Sequence, residues 1–296
     1  MKSLFVTALL LLCFSCNFTA RGGADGAFLV RDIYPGSSSS GPDGMISVNS
    51  NVFFRVQYGP GRGVGFWKSD GTPQGTVMLR DHTSPTRFAK FGNLVIFSNG
   101  IPYRSDGTEA GTFALSDNVR GGYTFTEASG VLFFEGGTST WGYELWRSDG
   151  TPANTYMVKD INPGTADSYP GSLTNVNGVL FFRATDGVHG LELWKSDGTE
   201  AGTVLVKDIV PGTYGSMNTS PYSPYSEFQG QFFFAATDGI HGYELWKSDG
   251  TASGTVLLKD INPGPADGFV YQTGEFTKAA DPNNDAVEEP DYLEEQ

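Results

Sequence analysis

The sequence predicts an all-β fold, a β-propeller of four-stranded antiparallel blades, and three observations carry that expectation. One short motif recurs five times, its spacing suits a single blade, and the stretches between turn signals are too short for helices. Trp67-Lys-Ser-Asp-Gly-Thr72 returns as Tyr103-Arg-Ser-Asp-Gly-Thr108, then as Trp146-Arg-Ser-Asp-Gly-Thr151, Trp194-Lys-Ser-Asp-Gly-Thr199 and Trp246-Lys-Ser-Asp-Gly-Thr251. The aspartates Asp70, Asp106, Asp149, Asp197 and Asp249 lie 36, 43, 48 and 52 residues apart. Forty glycines, sixteen prolines and 14% aromatic residues fit many short strands joined by tight turns.

One unit shows the logic. Leu173–Asn177 reads as a first strand (a), ended by the Asn177-Gly178 turn, and Val179–Thr185 as an apolar second strand (b). Asp186–Gly190 turns the chain into a third strand (c), Leu191–Ser196, and Asp197–Gly202 turns it into a fourth (d), Thr203–Ile209. Asn-Gly and Asp-Gly supply the positive φ angles that hairpin turns need. Such a meander cannot bury two apolar faces alone, so copies must pack face to face. Phe53/Phe54, Phe133/Phe134, Phe181/Phe182 and Phe232–Phe234 recur on strand b and the Trp on strand c; they are expected as inter-blade core.

Five full blades are expected near 45–83, 84–118, 119–164, 165–212 and 213–264. The ends suggest a degenerate sixth. Phe28–Gly36 (FLVRDIYPG) matches strand d and its exit turn without preceding strands, and Phe269–Ala280 imitates strands a and b of Tyr225–Ala236. A sixth blade closed by the N-terminal strand and a five-bladed ring with a loose tail both fit.

The termini suggest export. Lys2 followed by the apolar run Leu4–Phe14 reads as a signal peptide over residues 1–15, cut after Ser15 to leave Cys16 at the new N-terminus. Cys16 is then either lipidated or discarded with the signal, and no disulfide framework is available, since Cys13 and Cys16 are the two cysteines of the chain. Residues 16–26 form a linker, 27–280 the repeat domain, and 281–296 an acidic tail that carries −7 of the net −14. So acidic a chain argues against nucleic-acid binding and allows membrane attachment only through a lipid anchor.

Glu144-Leu-Trp-Arg-Ser-Asp-Gly-Thr151, Glu192-Leu-Trp-Lys-Ser-Asp-Gly-Thr199 and Glu244-Leu-Trp-Lys-Ser-Asp-Gly-Thr251, with their Lys-Asp-Ile-Asn-Pro-Gly and Asp-Gly-Val-His-Gly flanks, resemble the ELWxxDGT repeat family over about residues 27–280. Blades one and two depart, with Gly65-Phe66-Trp67 and Ile101-Pro102-Tyr103 in place of Glu-Leu-Trp. The resemblance implies exported bacterial proteins, often lipoproteins or surface proteins, with a propeller-like fold; it supplies no catalytic residues. A weaker likeness to the Asp-box of sialidase-type propellers gives Asp70, Asp106, Asp149, Asp197 and Asp249 a mechanical role, each fixing a hairpin through turn amides.

Sequence motifs for chemistry are scarce. HExxH and GxSxG are absent, and Gly59–Gly65 fits neither a phosphate loop nor a dinucleotide fingerprint. His189 and His241 occupy equivalent turns where blade three has Trp141, which favours packing over catalysis and leaves a shared metal as the lesser reading. Calcium is the better metal candidate, on Asp281-Pro-Asn283-Asn-Asp285 or on the series Asp32, Asp160, Asp208 and Asp260, although Ala286 and Tyr292 stand where a calcium loop needs Gly and Glu. The b–c and d–a connections share one side of the meander and vary most, so ligand binding is expected there, by Tyr214, Tyr222, Tyr225, His189 or His241. The expectation is a monomeric, non-enzymatic binding module for a protein or glycan, without cofactor. An extracellular polysaccharide hydrolase or lyase and a purely structural envelope protein are the alternatives.

Overall fold

The computed structural model describes residues 28–36, 39–57, 64–218 and 225–268, and these form five four-stranded antiparallel sheets. The first sheet runs Pro42–Val48, Asn51–Val56, Gly65–Ser69 and Val77–Arg80. The second comprises Thr86–Phe91, Leu94–Ser98, Pro102–Ser105 and Phe113–Ala114, and the third Arg120–Ala128, Val131–Gly137, Tyr143–Ser148 and Tyr156–Lys159. The fourth is Gly171–Val176, Val179–Ala184, Glu192–Ser196 and Val204–Lys207; the fifth is Tyr225–Phe228, Gln231–Ala236, Glu244–Ser248 and Val256–Lys259. Each is a simple meander in the order a-b-c-d. The expected all-β architecture of propeller blades is therefore present.

Local sequence sets each joint. At the a–b turns Ser129-Gly130, Asn177-Gly178 and Gln229-Gly230 all take positive φ at both positions, the backbone of a two-residue hairpin turn. At the c–d turns the repeated Asp accepts the Thr amide at 2.8–2.9 Å and the Thr hydroxyl at 2.6–2.7 Å, in all five sheets. That same Thr oxygen accepts the N–H of Gly75, Gly111, Gly202 or Gly254 at 2.9–3.0 Å. A Cβ on any of those glycines would fall about 2 Å from the Asp carboxylate. In the third sheet Asn154 stands there instead, inside a one-turn 3-10 helix, and its amide donates to Asp149 at 2.6 Å.

Strand register puts one Phe of each strand b on the same face as the motif Trp. Phe54 lies opposite Trp67, Phe134 opposite Trp146, Phe182 opposite Trp194 and Phe234 opposite Trp246. That face meets the preceding sheet. Leu180, Phe182, Ala184 and Trp194 pack on Phe133, Leu145, Val158 and Ile161 of the third sheet. Phe232, Phe234, Ala236 and Trp246 pack likewise on Phe181, Leu193, Val206 and Ile209 of the fourth. Similar clusters join the first sheet to the second and the second to the third. Each buried Phe or Leu in these seams contributes roughly 1.5–3 kcal/mol of transfer free energy.

Cations tie neighbouring sheets together, two of them in each of the third and fourth sheets. The Lys or Arg after the motif Trp or Tyr reaches the glycine carbonyl of the next Asp-Gly-Thr turn: Arg104 to Gly150 at 3.3 Å, Arg147 to Gly198 at 2.8 Å and Lys195 to Gly250 at 2.8 Å. The cation on strand d reaches the next sheet's Thr carbonyl: Arg80 to Thr112, Lys159 to Thr203 and Lys207 to Thr255 at 2.8–3.2 Å.

The Glu of Glu-Leu-Trp is a buried latch. Glu192 accepts the N–H groups of Ile209, Val210 and Ser216 and the Ser216 hydroxyl at 2.5–3.2 Å, pinning the turn that leaves strand d. Glu144 does the same for Ile161, Asn162 and Ser168, and Glu244 for Ile261 and Asn262. Burial pushes the Glu144 carboxyl up to about 7, against the pull of its three donors. Orphaning a buried donor costs about 1–3 kcal/mol. Glu192→Ala is accordingly expected to lower the unfolding free energy by about 3 kcal/mol or more in urea titrations, and a loss under about 1 kcal/mol would contradict the latch.

Candidate functional site

The b–c and d–a connections sit on one side of the array and lean on each other within a sheet. Gly190, at φ +65°, lies against Tyr214 and Gly215 so closely that a Cβ would come 2.3 Å from the Gly215 amide. This contact explains the glycine that follows His189, and it brings the His189 and Tyr214 loops together.

The two histidines brace their own turns. Asp186 accepts the N–H groups of Val188 and His189 at 2.9 Å through Oδ1, and its Oδ2 meets His189 Nδ1 at 2.7 Å. Asp238 and His241 repeat the arrangement at the same ring distance. The Asp186 hydrogen bond holds the His189 imidazole above its ordinary pKa, and Asp238 acts likewise on His241. The Asp186 carboxyl, although burial alone would raise it, is held below its ordinary value by these donors.

Among the described residues no group of three or more His, Cys, Asp or Glu is placed to hold a metal ion. Asp160 accepts the Gly164 N–H at 3.1 Å, a turn contact. Tyr214 is 92% exposed. Tyr222, Cys16 and the Asp281–Asp285 stretch lie outside the described residues, as do the signal, linker and tail segments.

A polar cluster that no sequence motif marks lies at the b-strand ends of the third to fifth sheets. Glu135 and Arg183 occupy matching positions on neighbouring sheets, both half-buried. Burial pushes the Glu135 carboxyl up to about 7; the Arg183 charge pulls it down and Asp167 pushes it further up. Burial also lowers Arg183, which Tyr225 and Glu135 oppose. Arg183 donates to the Asn218 carbonyl at 2.7 Å. Tyr123 and Tyr143 tilt against each other with ring centres 6.5 Å apart, and burial first, then the Tyr123 hydroxyl, raises Tyr143. Asp167 is engaged by the Tyr143 N–H at 2.7 Å. Of the tyrosines expected to bind, Tyr225 joins this cluster beside Arg183. The sequence hides the cluster because this repeat position carries a different residue in each sheet: Glu135 aligns with Arg183, Ala235, Arg55 and Ser98.

Around the cluster, exposed apolar side chains collect on the same side. Tyr123 stands at the start of strand a, Trp141, Val188 and Ile240 on b–c loops, and Tyr169 and Tyr214 on d–a loops. The opposite side presents the near-identical, polar Asp-Gly-Thr and Asn-Gly-type turns.

No family model matches the chain and no curated protein matches it. Among solved structures it is similar to the computationally designed Ika8 protein (13% identity, 79% of this chain and 65% of that one, TM-score 0.44). It is also similar to puromycin hydrolase (15%, 81% and 42%, TM-score 0.43) and to the GH74 xyloglucanase from Xanthomonas campestris (11%, 71% and 36%, TM-score 0.40). The chain thus spans less than two thirds of each of these structures, and likenesses of this size carry nothing about activity or ligand.

Two outcomes follow from the electrostatics. Titration by NMR should place His189 and His241 above the ordinary value of about 6.5, and Asp186→Asn should bring His189 back to it. Glu135, raised when folded, binds an extra proton between about pH 4.3 and 7, so the native state loses stability as pH rises through that window. Glu135→Gln should abolish that loss and leave the variant roughly 1–3 kcal/mol more stable than the parent at pH 8 but not at pH 4. Parallel unfolding curves at the two pH values check it.

Proposed function

We propose that this protein is a non-enzymatic binding module, an exported member of the ELWxxDGT repeat family, that holds a glycan or protein on its b–c and d–a loop side. One observation carries the reading. Among the described residues of the third to fifth sheets, apart from Tyr156 under Arg147 and the free face of the last sheet, the exposed large apolar side chains are Tyr123, Trp141, Tyr169, Val188, Tyr214 and Ile240. All six belong to that side, whereas the other side is built from repeated polar turns. Flat aromatic surfaces beside hydrogen-bonding groups suit both sugar rings and protein surfaces, and variable loops on a regular scaffold are where recognition resides. Export rests on the Lys2–Ser15 signal-like stretch, and attachment to the envelope would come from lipidation of Cys16.

The test is a glycan-array and surface-protein screen of the mature protein, repeated with Trp141→Ala and Tyr169→Ala. Loss of one such anchor should weaken binding at least about tenfold, whereas Asp149→Ala on the turn side should leave affinity unchanged. Equal binding by all three variants would remove the loop side as the site.

A second reading, an extracellular polysaccharide hydrolase or lyase, draws on Glu135, whose near-neutral carboxyl could move a proton. Depolymerisation of an acidic or neutral polysaccharide that disappears in Glu135→Gln would establish it over the first.

A further inference from the structure

The two ends of the sheet array are unlike its interior, and both point to one missing layer. Positions that face the following sheet are fully sheltered in the interior: Phe133, Leu145, Val158 and Ile161 in the third sheet, Phe181, Leu193, Val206 and Ile209 in the fourth. Their equivalents in the fifth are Phe233, Leu245, Leu258 and Ile261; the first two are half-buried, and Leu258 and Ile261 are 46% and 47% exposed. Lys247 and Lys259, which correspond to the cations that reach the next sheet, meet no such carbonyl among the described residues.

The first sheet, in contrast, is already touched from the preceding side. Arg31 donates to the carbonyls of Thr76 and Pro73 and stands 6.0 Å from the Trp67 ring centre. Lys207 does this to Thr255 and Trp246, 5.8 Å from the ring centre, and Arg80 to Thr112 and Tyr103, 5.5 Å away. Arg31 in Val-Arg-Asp-Ile thus acts as the strand-d cation of a sheet placed before the first.

We propose that residues 269–280 supply the first two strands of a sixth sheet that covers the open face of the fifth, with residues 28–36 as its outer strand. The order of the chain favours this occupant over a second molecule. The Gly268 N–H binds the Tyr243 carbonyl at 3.0 Å, as the Ser168 N–H binds Tyr143 at 2.9 Å in the third sheet, where strand a of the next sheet begins soon after. The chain is therefore delivered to the place where a following strand a starts. The next twelve residues, Phe269 to Ala280, align with Tyr225–Ala236 and put Phe276 where Phe232 stands. Phe232 is fully buried and lies 5.6 Å, centre to centre, from Phe181 of the sheet before it. Phe233 is the equivalent of Phe181, waiting for that partner.

Residues 17–296 contain no cysteine, so in a Cys16→Ser chain starting at residue 16 single cysteines can be introduced and labelled with a thiol reagent. Leu258→Cys should react at least tenfold more slowly than Ile240→Cys on an exposed loop, and adding Phe276→Asp should restore fast labelling while Val206→Cys stays protected. Equal rates for Leu258→Cys and Ile240→Cys would overturn the proposal. So would protection that vanishes on dilution, which assigns the face to a second copy, or protection that survives Phe276→Asp. If Phe276→Asp instead unmasks Val206→Cys as well, Phe276 is packed in the folded protein, as proposed.

Discussion

The structure depends on one constraint: a four-stranded sheet with apolar residues on both faces is stable only when each face is covered by another sheet. Strand b alternates Phe toward the following neighbour with Leu or Phe toward the preceding one, as Leu180, Phe181 and Phe182 do. A lone sheet of this kind would leave both faces in water. Packed in series, the faces vanish pairwise, and the energetic unit becomes the seam between sheets rather than the sheet itself.

Polar groups are arranged around those seams. The Asp-Gly-Thr turns satisfy themselves internally, the buried glutamates hold the exits of strand d, and the Lys and Arg side chains bond carbonyls on the adjacent sheet. None of this discriminates ligands. It releases the other side of the array, where the b–c and d–a loops need only keep close glycine contacts such as Gly190 against Gly215 and can vary elsewhere. The polar cluster of Glu135, Arg183, Tyr123, Tyr143 and Tyr225 lies on that side.

Much of the fold was legible because the physics is local and repeated. Asn-Gly and Asp-Gly turns, the strand-b aromatics and the five-fold motif each follow from short-range sequence, and observed strands such as Val179–Ala184 fall within a residue or two of expectation. The site was less legible. The sequence marks Tyr225 as a loop tyrosine, but nothing in the neighbourhoods of Glu135 and Arg183 sets them apart from an ordinary charged strand end. His189 and His241 were legible as turn residues, though not their aspartate partners. The Glu of Glu-Leu-Trp was visible as a repeated letter without a role, since its partners lie 17 to 24 residues downstream.

Alone, the sequence determined the unit, its turns and the faces that must be buried, because hairpin geometry and the alternation of side chains act over a few residues. The tertiary structure decided which carboxylates are latches and which are near neutral, and which cations cross to another sheet. Those properties come from burial and from partners tens of residues away, which adjacent residues do not encode.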